Sequence, residues 1–348
     1  MATQTRTTLS TFRLPNFEAT FSVLADNGLN PYHEEIRAES RAWIGNYNKA
    51  VCGPKMRAFM NSCNFELINS FCYPYADKAC LRATMDMLNA FWLYDEFSDT
   101  ENGADAHKSA EILIRALEEA DFDDGSWLCR MMKDFRERHI DRVGFNLADR
   151  FIRHTCTYVR MVANEAELRE HDEVLNIHNY VALRRETSGI RLCFDFAECG
   201  LGVNFSQEVY DDPIFRNGYN AAMDLICWVN DIYSYNMEQA KGHRCVNAVT
   251  VIMKAKCLDL QGAVDFINGY CEALLDQFEK AKEVLSARPE ESYADAVLLL
   301  KAFGDWVRGN DEWSFATERY FGKEGREIRK SRVVVLRELS TNKFALKE

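Results

Sequence analysis

Three carboxylates close the apolar run Phe91-Trp92-Leu93-Tyr94-Asp95-Glu96-Phe97-Ser98-Asp99. On a helix, Asp95 and Asp99 stand one turn apart on the same face, following Met87, Leu88, Phe91 and Trp92, at the border of a greasy surface. Hard oxygen ligands at that spacing suit Mg²⁺, which takes a few carboxylates and completes its shell with water and substrate phosphates. A second column follows about 135 residues later, in Asn230-Asp231-Ile232-Tyr233-Ser234-Tyr235-Asn236-Met237-Glu238. Asn230, Ser234 and Glu238 are spaced i, i+4, i+8 and drift only about 80° around a helix, so an amide oxygen, a hydroxyl and a carboxylate share one stripe. The preceding stretch, 223–229, is strongly apolar, and a polar stripe entering such a helix needs partners. Lys241 follows within one turn of Glu238, in reach of a phosphate held there.

Both columns need helices to carry them, and the hydrophobic period is mostly helical. Residues 32–50, 76–98, 108–120, 148–169 and 263–285 each place apolar side chains at spacings of three and four. The one short β-like run, 333–335, lies in a charged tail with eight Lys/Arg against four Asp/Glu from 323 onward. Gly 17 and Pro 6 in 348 residues fall well below the roughly 12% of an average chain, which argues against a β-sandwich or a Gly-rich nucleotide fold. The expected architecture is all-α and single-domain: a loose N-terminal segment over 1–25, a helical domain over 26–322 and a tail over 323–348.

The net charge of −12 argues against nucleic acid as a partner, because a polyanion would need metal ions to bind here. Twelve cysteines are scattered through apolar segments without a CxxC pair, so they read as buried thiols of a reducing compartment. With no signal-like apolar segment at the start and no stretch of about 18 apolar residues, a cytoplasmic protein without a membrane span is expected.

The pair DEFSD and NDIYSYNME resembles the two metal motifs of the class I terpene synthases. Two further segments fit that family. Arg185-Glu186-Thr187-Ser188-Gly189, about 45 positions before Asn230, is similar to its diphosphate-sensor segment, and Arg319-Tyr320 to its C-terminal Arg-Tyr pair, preceded by Trp306-Val307-Arg308-Gly309-Asn310 and Trp313. In style the chain is most similar to the single-domain sesquiterpene synthases of mushroom-forming fungi. The resemblance implies a helical bundle around a central hydrophobic cavity, and a prenyl diphosphate as substrate, with farnesyl diphosphate foremost. It implies three Mg²⁺, with Mn²⁺ able to substitute, held by Asp95, Asn230, Ser234 and Glu238, with Glu96 and Asp99 as weaker members. Arg185, Lys241, Arg319 and Tyr320 would donate to the diphosphate. Arg184 competes with Arg185, which is preferred because it places Gly189 four residues on. In the family that glycine lies at a helix break whose backbone carbonyl faces the substrate, with Ser188 as the linking residue.

The implied product is a C15 hydrocarbon or alcohol, with 1,11-cyclisation to a protoilludene type or early quenching to acyclic linalool or nerolidol as alternatives. The family also allows a homodimer. A chain-elongating prenyltransferase would carry a second aspartate-rich motif in place of Asn230, Ser234 and Glu238, and a non-catalytic scaffold would need none of these groups. Aromatic faces hold a carbocation without offering it a nucleophile. Phe91, sharing a face with Asp95, and Trp306 are the preferred wall residues, with Trp92, Phe71 and Phe196 behind them. The segments after Glu238 and over 321–330 are expected to order around bound ligand. Asp86, the 121–125 acidic run and His243-Arg244-Cys245 read as structural, and Asp212 before Pro213 as a helix cap.

Overall fold

The computed structural model describes residues 10–171, 173–203, 206–242 and 245–338. The expected helices form with boundaries moved by local chemistry. Asp77 caps the helix Lys78–Ser98, its side chain accepting from the Cys80 amide at 2.8 Å. Asn102 does the same for Gly103–Glu118 and Asp259 for Leu260–Ser286. The longest helix, Pro213–Lys241, starts at Asp212, whose carboxylate accepts from the Ile214 and Phe215 amides, and ends at Gly242 in the left-handed region (φ +82°). Each such cap contributes about 1 kcal/mol.

Pro213–Lys241 is buried on nearly every side from Ala221 to Met237 and runs through the middle, packed against Leu260–Ser286 and Glu291–Ala316. A helix so enclosed must be surrounded by others, which is what a bundle supplies. Around it Phe194 stacks on Phe303 with centroids 3.8 Å apart, and Tyr233 meets Phe315 edge-on at 5.0 Å. The helices Lys78–Ser98, Phe145–Glu170 and Ile177–Thr187 complete the ring. Between them lies a cavity of about 190 Å³. Among the described residues no helix is long and apolar enough to cross a membrane. Among the described residues no disulfide joins the cysteines, most of which are buried.

Both ends depart from the expected looseness. Thr11–Arg13 pairs antiparallel with Val333–Val335, joining opposite ends of the chain in a two-stranded ribbon. The cause is apolar content: Phe12, Leu14, Phe17, Phe21 and Leu24 are all buried, and Phe17 packs edge-on against Tyr233 of the central helix. Residues 1–9 and 339–348 of the expected tails lie outside the described residues. The 321–330 segment is likewise already folded, with a short helix Gly325–Ser331 fastened by Arg329 to Glu312 (2.6 and 2.8 Å) and to Glu18 (3.2 Å). Of the segment after Glu238, residues 243 and 244 lie outside the described residues.

Candidate active site

The cavity is lined by apolar and by charged side chains. Ile68, Met87, Leu88, Phe91, Trp92 and Trp306 line it together with Asp95, Asp99, Asn230, Ser234, Glu238, Lys241, Arg319 and Tyr320. The two columns read from the sequence therefore face one space, from the ends of Lys78–Ser98 and Pro213–Lys241.

In the first motif the three carboxylates part company. Asp95 faces the cavity; burial, then Asp99 and Glu96, push its carboxyl up to about 8. The helix C-terminus adds its own negative end to that crowd. Asp99 lies 3.4 Å from Arg169, which also pairs with Glu165 at 3.2 Å. Glu96 is a correction to the expected ligand set. One residue on from Asp95 it is turned about 100° around the helix. It is buried off the cavity, 2.8 Å from Arg319 Nη1 and 3.7 Å from Lys241 Nζ. Its role there is to anchor the two cations.

In the second motif Asn230, Ser234 and Glu238 share the cavity face. Burial, then the nearby Asp231, raises the Glu238 carboxyl above the ordinary range, while Asn247 Nδ2 donates to it at 3.0 Å. Ser234 is 2% exposed, its hydroxyl 3.5 Å from the Asp231 carbonyl. Asp231 itself points back into the protein, accepting from the Tyr180 hydroxyl (2.7 Å), Arg184 Nε (2.9 Å) and the Ala248 amide (2.6 Å). Asn230 Oδ1 accepts from Arg184 Nη2 at 2.9 Å, and its Nδ2 donates to the Tyr320 hydroxyl at 2.7 Å.

The sensor assignment is also corrected. Arg184 lines the cavity; Arg185 does not. Adjacent residues on a helix point about 100° apart, and Arg185 is turned away into a bidentate pair with Asp224 at 2.7 and 2.6 Å. Thr187, Ser188 and Gly189 do line the cavity, at the break between Ile177–Thr187 and Ile190–Leu201. Gly189 has φ +71°, while a Cβ there would meet Tyr158 only at an ordinary 3.8 Å, so the backbone and not space demands glycine. Its own carbonyl is occupied, accepting from the Leu192 and Cys193 amides. Ser188 Oγ accepts from the Ile190 amide at 3.2 Å, tying the break together.

Arg319 is buried, with its guanidinium 4.1 Å from the Trp92 ring centre. Phe91 meets Tyr158 edge-on at 5.4 Å and Trp306 meets Tyr73 at 5.3 Å, which fixes two wall faces. Phe71 and Phe196 stand off the cavity; Phe196 packs instead on Phe151. Sequence reasoning missed Tyr158, Glu165 and Arg169, which line the cavity from Phe145–Glu170. Their spacings of seven and four are a helical face, a signal present in the sequence but carried by no recognised motif.

Asp86, Asp123 and Asp124 do not line the cavity. Asp86 is fully buried, paired with Arg82 at 2.8 Å and with His139 at 3.0 Å. Asp123 and Asp124 lie near Cys129 and accept from the Gly125 and Ser126 amides in their own turn. Residues 243 and 244 lie outside the described residues.

The profile of the family described as "Terpene synthase family 2, C-terminal metal binding" matches residues 86–277, which span both columns. A sesquiterpene synthase of Cyclocybe aegerita is 58% identical over 338 residues, covering 97% of this chain and 79% of the relative. One of Piloderma croceum is 57% identical over 325 residues, covering 93% and 94%. A viridiflorene synthase of Cyclocybe aegerita is 53% identical, covering 97% and 89%. Among solved structures, a hedycaryol synthase superposes with TM-score 0.75 at 23% identity, covering 87% of this chain and 98% of that one.

Proposed function

The chain belongs to the terpene synthase family, and from that premise we propose that it is a sesquiterpene synthase that ionises farnesyl diphosphate. The observation carrying this reading is the convergence of two oxygen-ligand columns and four cations, Arg169, Arg184, Lys241 and Arg319, on one aromatic-walled cavity. The donor set fits Mg²⁺: Asp95, Asn230, Ser234 and Glu238 offer only oxygen, and buried carboxyls with raised proton affinity gain most from a divalent partner. Bound there, magnesium (three ions, or Mn²⁺ in its place) supplies the Lewis acidity that stabilises the leaving diphosphate.

The chain's own residues do the rest. Arg184, Lys241, Arg319 and Tyr320 donate to the diphosphate oxygens, the arginines through planar forks suited to two oxygens at once. Glu96 holds Arg319 and Lys241 in position. Phe91, Trp92, Tyr158 and Trp306 present ring faces and edges to the prenyl cation and exclude water from it. Ser188 and Gly189 shape the wall where the cation forms. With rings on several sides the prenyl chain is held coiled, and a cyclised C15 product of the protoilludene type is the expected outcome.

Incubation with geranyl, farnesyl and geranylgeranyl diphosphates plus Mg²⁺, read by gas chromatography–mass spectrometry, tests the reading. A cyclic C15 product from farnesyl diphosphate is expected. Acyclic linalool or nerolidol would overturn the product assignment, and no turnover of any substrate would overturn the function.

A further inference from the structure

The oxygen that the second motif would offer a metal is already engaged. Asn230 Oδ1 accepts from Arg184 Nη2 at 2.9 Å, and Asn230 Nδ2 donates to the Tyr320 hydroxyl at 2.7 Å. A guanidinium only donates, so the amide atom facing it is the oxygen, and the orientation of Asn230 follows. Arg184 is seated firmly. Its Nε donates to Asp231 Oδ1 at 2.9 Å, and Asp231 is pinned in turn by the Tyr180 hydroxyl and the Ala248 amide. The rest of the stripe is oriented but incomplete without Asn230, since Ser234 lies against the Asp231 carbonyl and Glu238 against Asn247. A cation lodged on a ligand oxygen repels a second cation approaching the same atom. Both groups bracketing the amide are donors assigned above to the diphosphate.

We propose that Arg184 is a latch on Asn230: with Tyr320 it keeps the amide from a divalent ion until a diphosphate draws both donors to itself. The proposal rests on the diphosphate-ionising reading and adds an order to it. Arg184 and Tyr320 leave Asn230 for the diphosphate, Asn230 Oδ1 is freed, and the second motif becomes a complete three-oxygen site. Among the described residues no cation bonds to Asp95 as Arg184 does to Asn230, and the latch concerns the second motif alone.

The test is calorimetric titration of Mg²⁺ into the full chain, without and with inorganic diphosphate. The variants are Arg184→Gln, Asn230→Ala and the double substitution, with circular dichroism confirming the fold. Arg184→Gln is expected to bind Mg²⁺ alone roughly five- to tenfold more tightly than wild type, and that gain is expected to vanish in the Asn230→Ala background. A merely structural arginine would weaken binding or leave it unmoved. Arg184→Lys keeps a cation beside buried Asp231 but lacks the fork's second arm; it should show a smaller gain and carries the test if Arg184→Gln does not fold. No gain in the folded variants, or an equal gain with Asn230→Ala, would overturn the latch, the latter revealing a general charge effect. If wild type and Asn230→Ala titrate identically with and without diphosphate, the metal reading itself fails and the latch with it.

Discussion

Asp95 makes the site sensitive to pH. Its carboxyl is pushed up to about 8 by burial and by Asp99 and Glu96, so near neutrality a proton occupies the group a metal would bind. Metal binding must expel that proton, and affinity then falls as pH drops below about 8, by up to roughly tenfold per unit for one proton released. Mg²⁺ titrations at pH 6.5, 7.5 and 8.5 should show this weakening toward acid; a flat profile would refute it. Glu238→Ala should lower turnover by at least about a hundredfold, in line with loss of a transition-state stabiliser, while the helical circular-dichroism spectrum stays intact. Retained activity would refute its assignment as a ligand. At this scale the sequence was informative wherever spacing alone placed a group on a face, as for Asn230, Ser234 and Glu238. It could not choose between Arg184 and Arg185, or see Glu96 turn inward. Those depend on which neighbours, Asp231, Asp224 or Arg319, stand opposite.

At the level of elements, the break at Gly189 and the buried acids of Glu291–Ala316 invite measurement. Gly189→Ala forces a side chain into φ +71° at a cost of about 1 kcal/mol or more, without a clash. A melting temperature lowered by a few degrees, with an altered product spectrum, is expected; unchanged products would show that the break does not shape the wall. Asp305 is 7% exposed, bonded to Asn27 at 2.7 Å, and burial raises its carboxyl to about 6. The folded state therefore holds this proton to higher pH than the unfolded chain. The stability it contributes is full below about pH 4 and is lost as pH rises through about 6, up to about 3 kcal/mol. Asp305→Asn keeps an acceptor for Asn27 and should remove that slope, melting higher than wild type at pH 7.5 and about equally at pH 4. Equal melting at pH 7.5 would refute it. Helix positions were legible because they repeat every three to four residues; the caps Asp77 and Asn102 that moved their starts act through single hydrogen bonds.

Across the whole molecule, the all-helical bundle followed from periodicity and scarce turn-formers, but the terminal ribbon did not. Its strands are three residues long and more than 300 positions apart, and nothing local relates Thr11–Arg13 to Val333–Val335. Only packing against the central helix gives Phe12 and Phe17 a buried place. Phe17→Ala should cost about 3 to 5 kcal/mol and lower the denaturant midpoint accordingly; a change under about 1 kcal/mol would show the N-terminal segment to be dispensable. The ribbon reaches the motif helix directly. Asn236 Nδ2 donates to the Val335 carbonyl (3.0 Å), the Arg337 amide donates to Asn236 Oδ1 (2.8 Å), and Gln239 Nε2 donates to the Arg337 carbonyl (2.8 Å). The ribbon itself closes a loop of more than 300 residues, and such pairings form late because so much chain entropy must be surrendered first. During translation Asn236 and Gln239, on the helix that bears Asn230, Ser234 and Glu238, thus stay without these partners until residues 333–337 have left the ribosome.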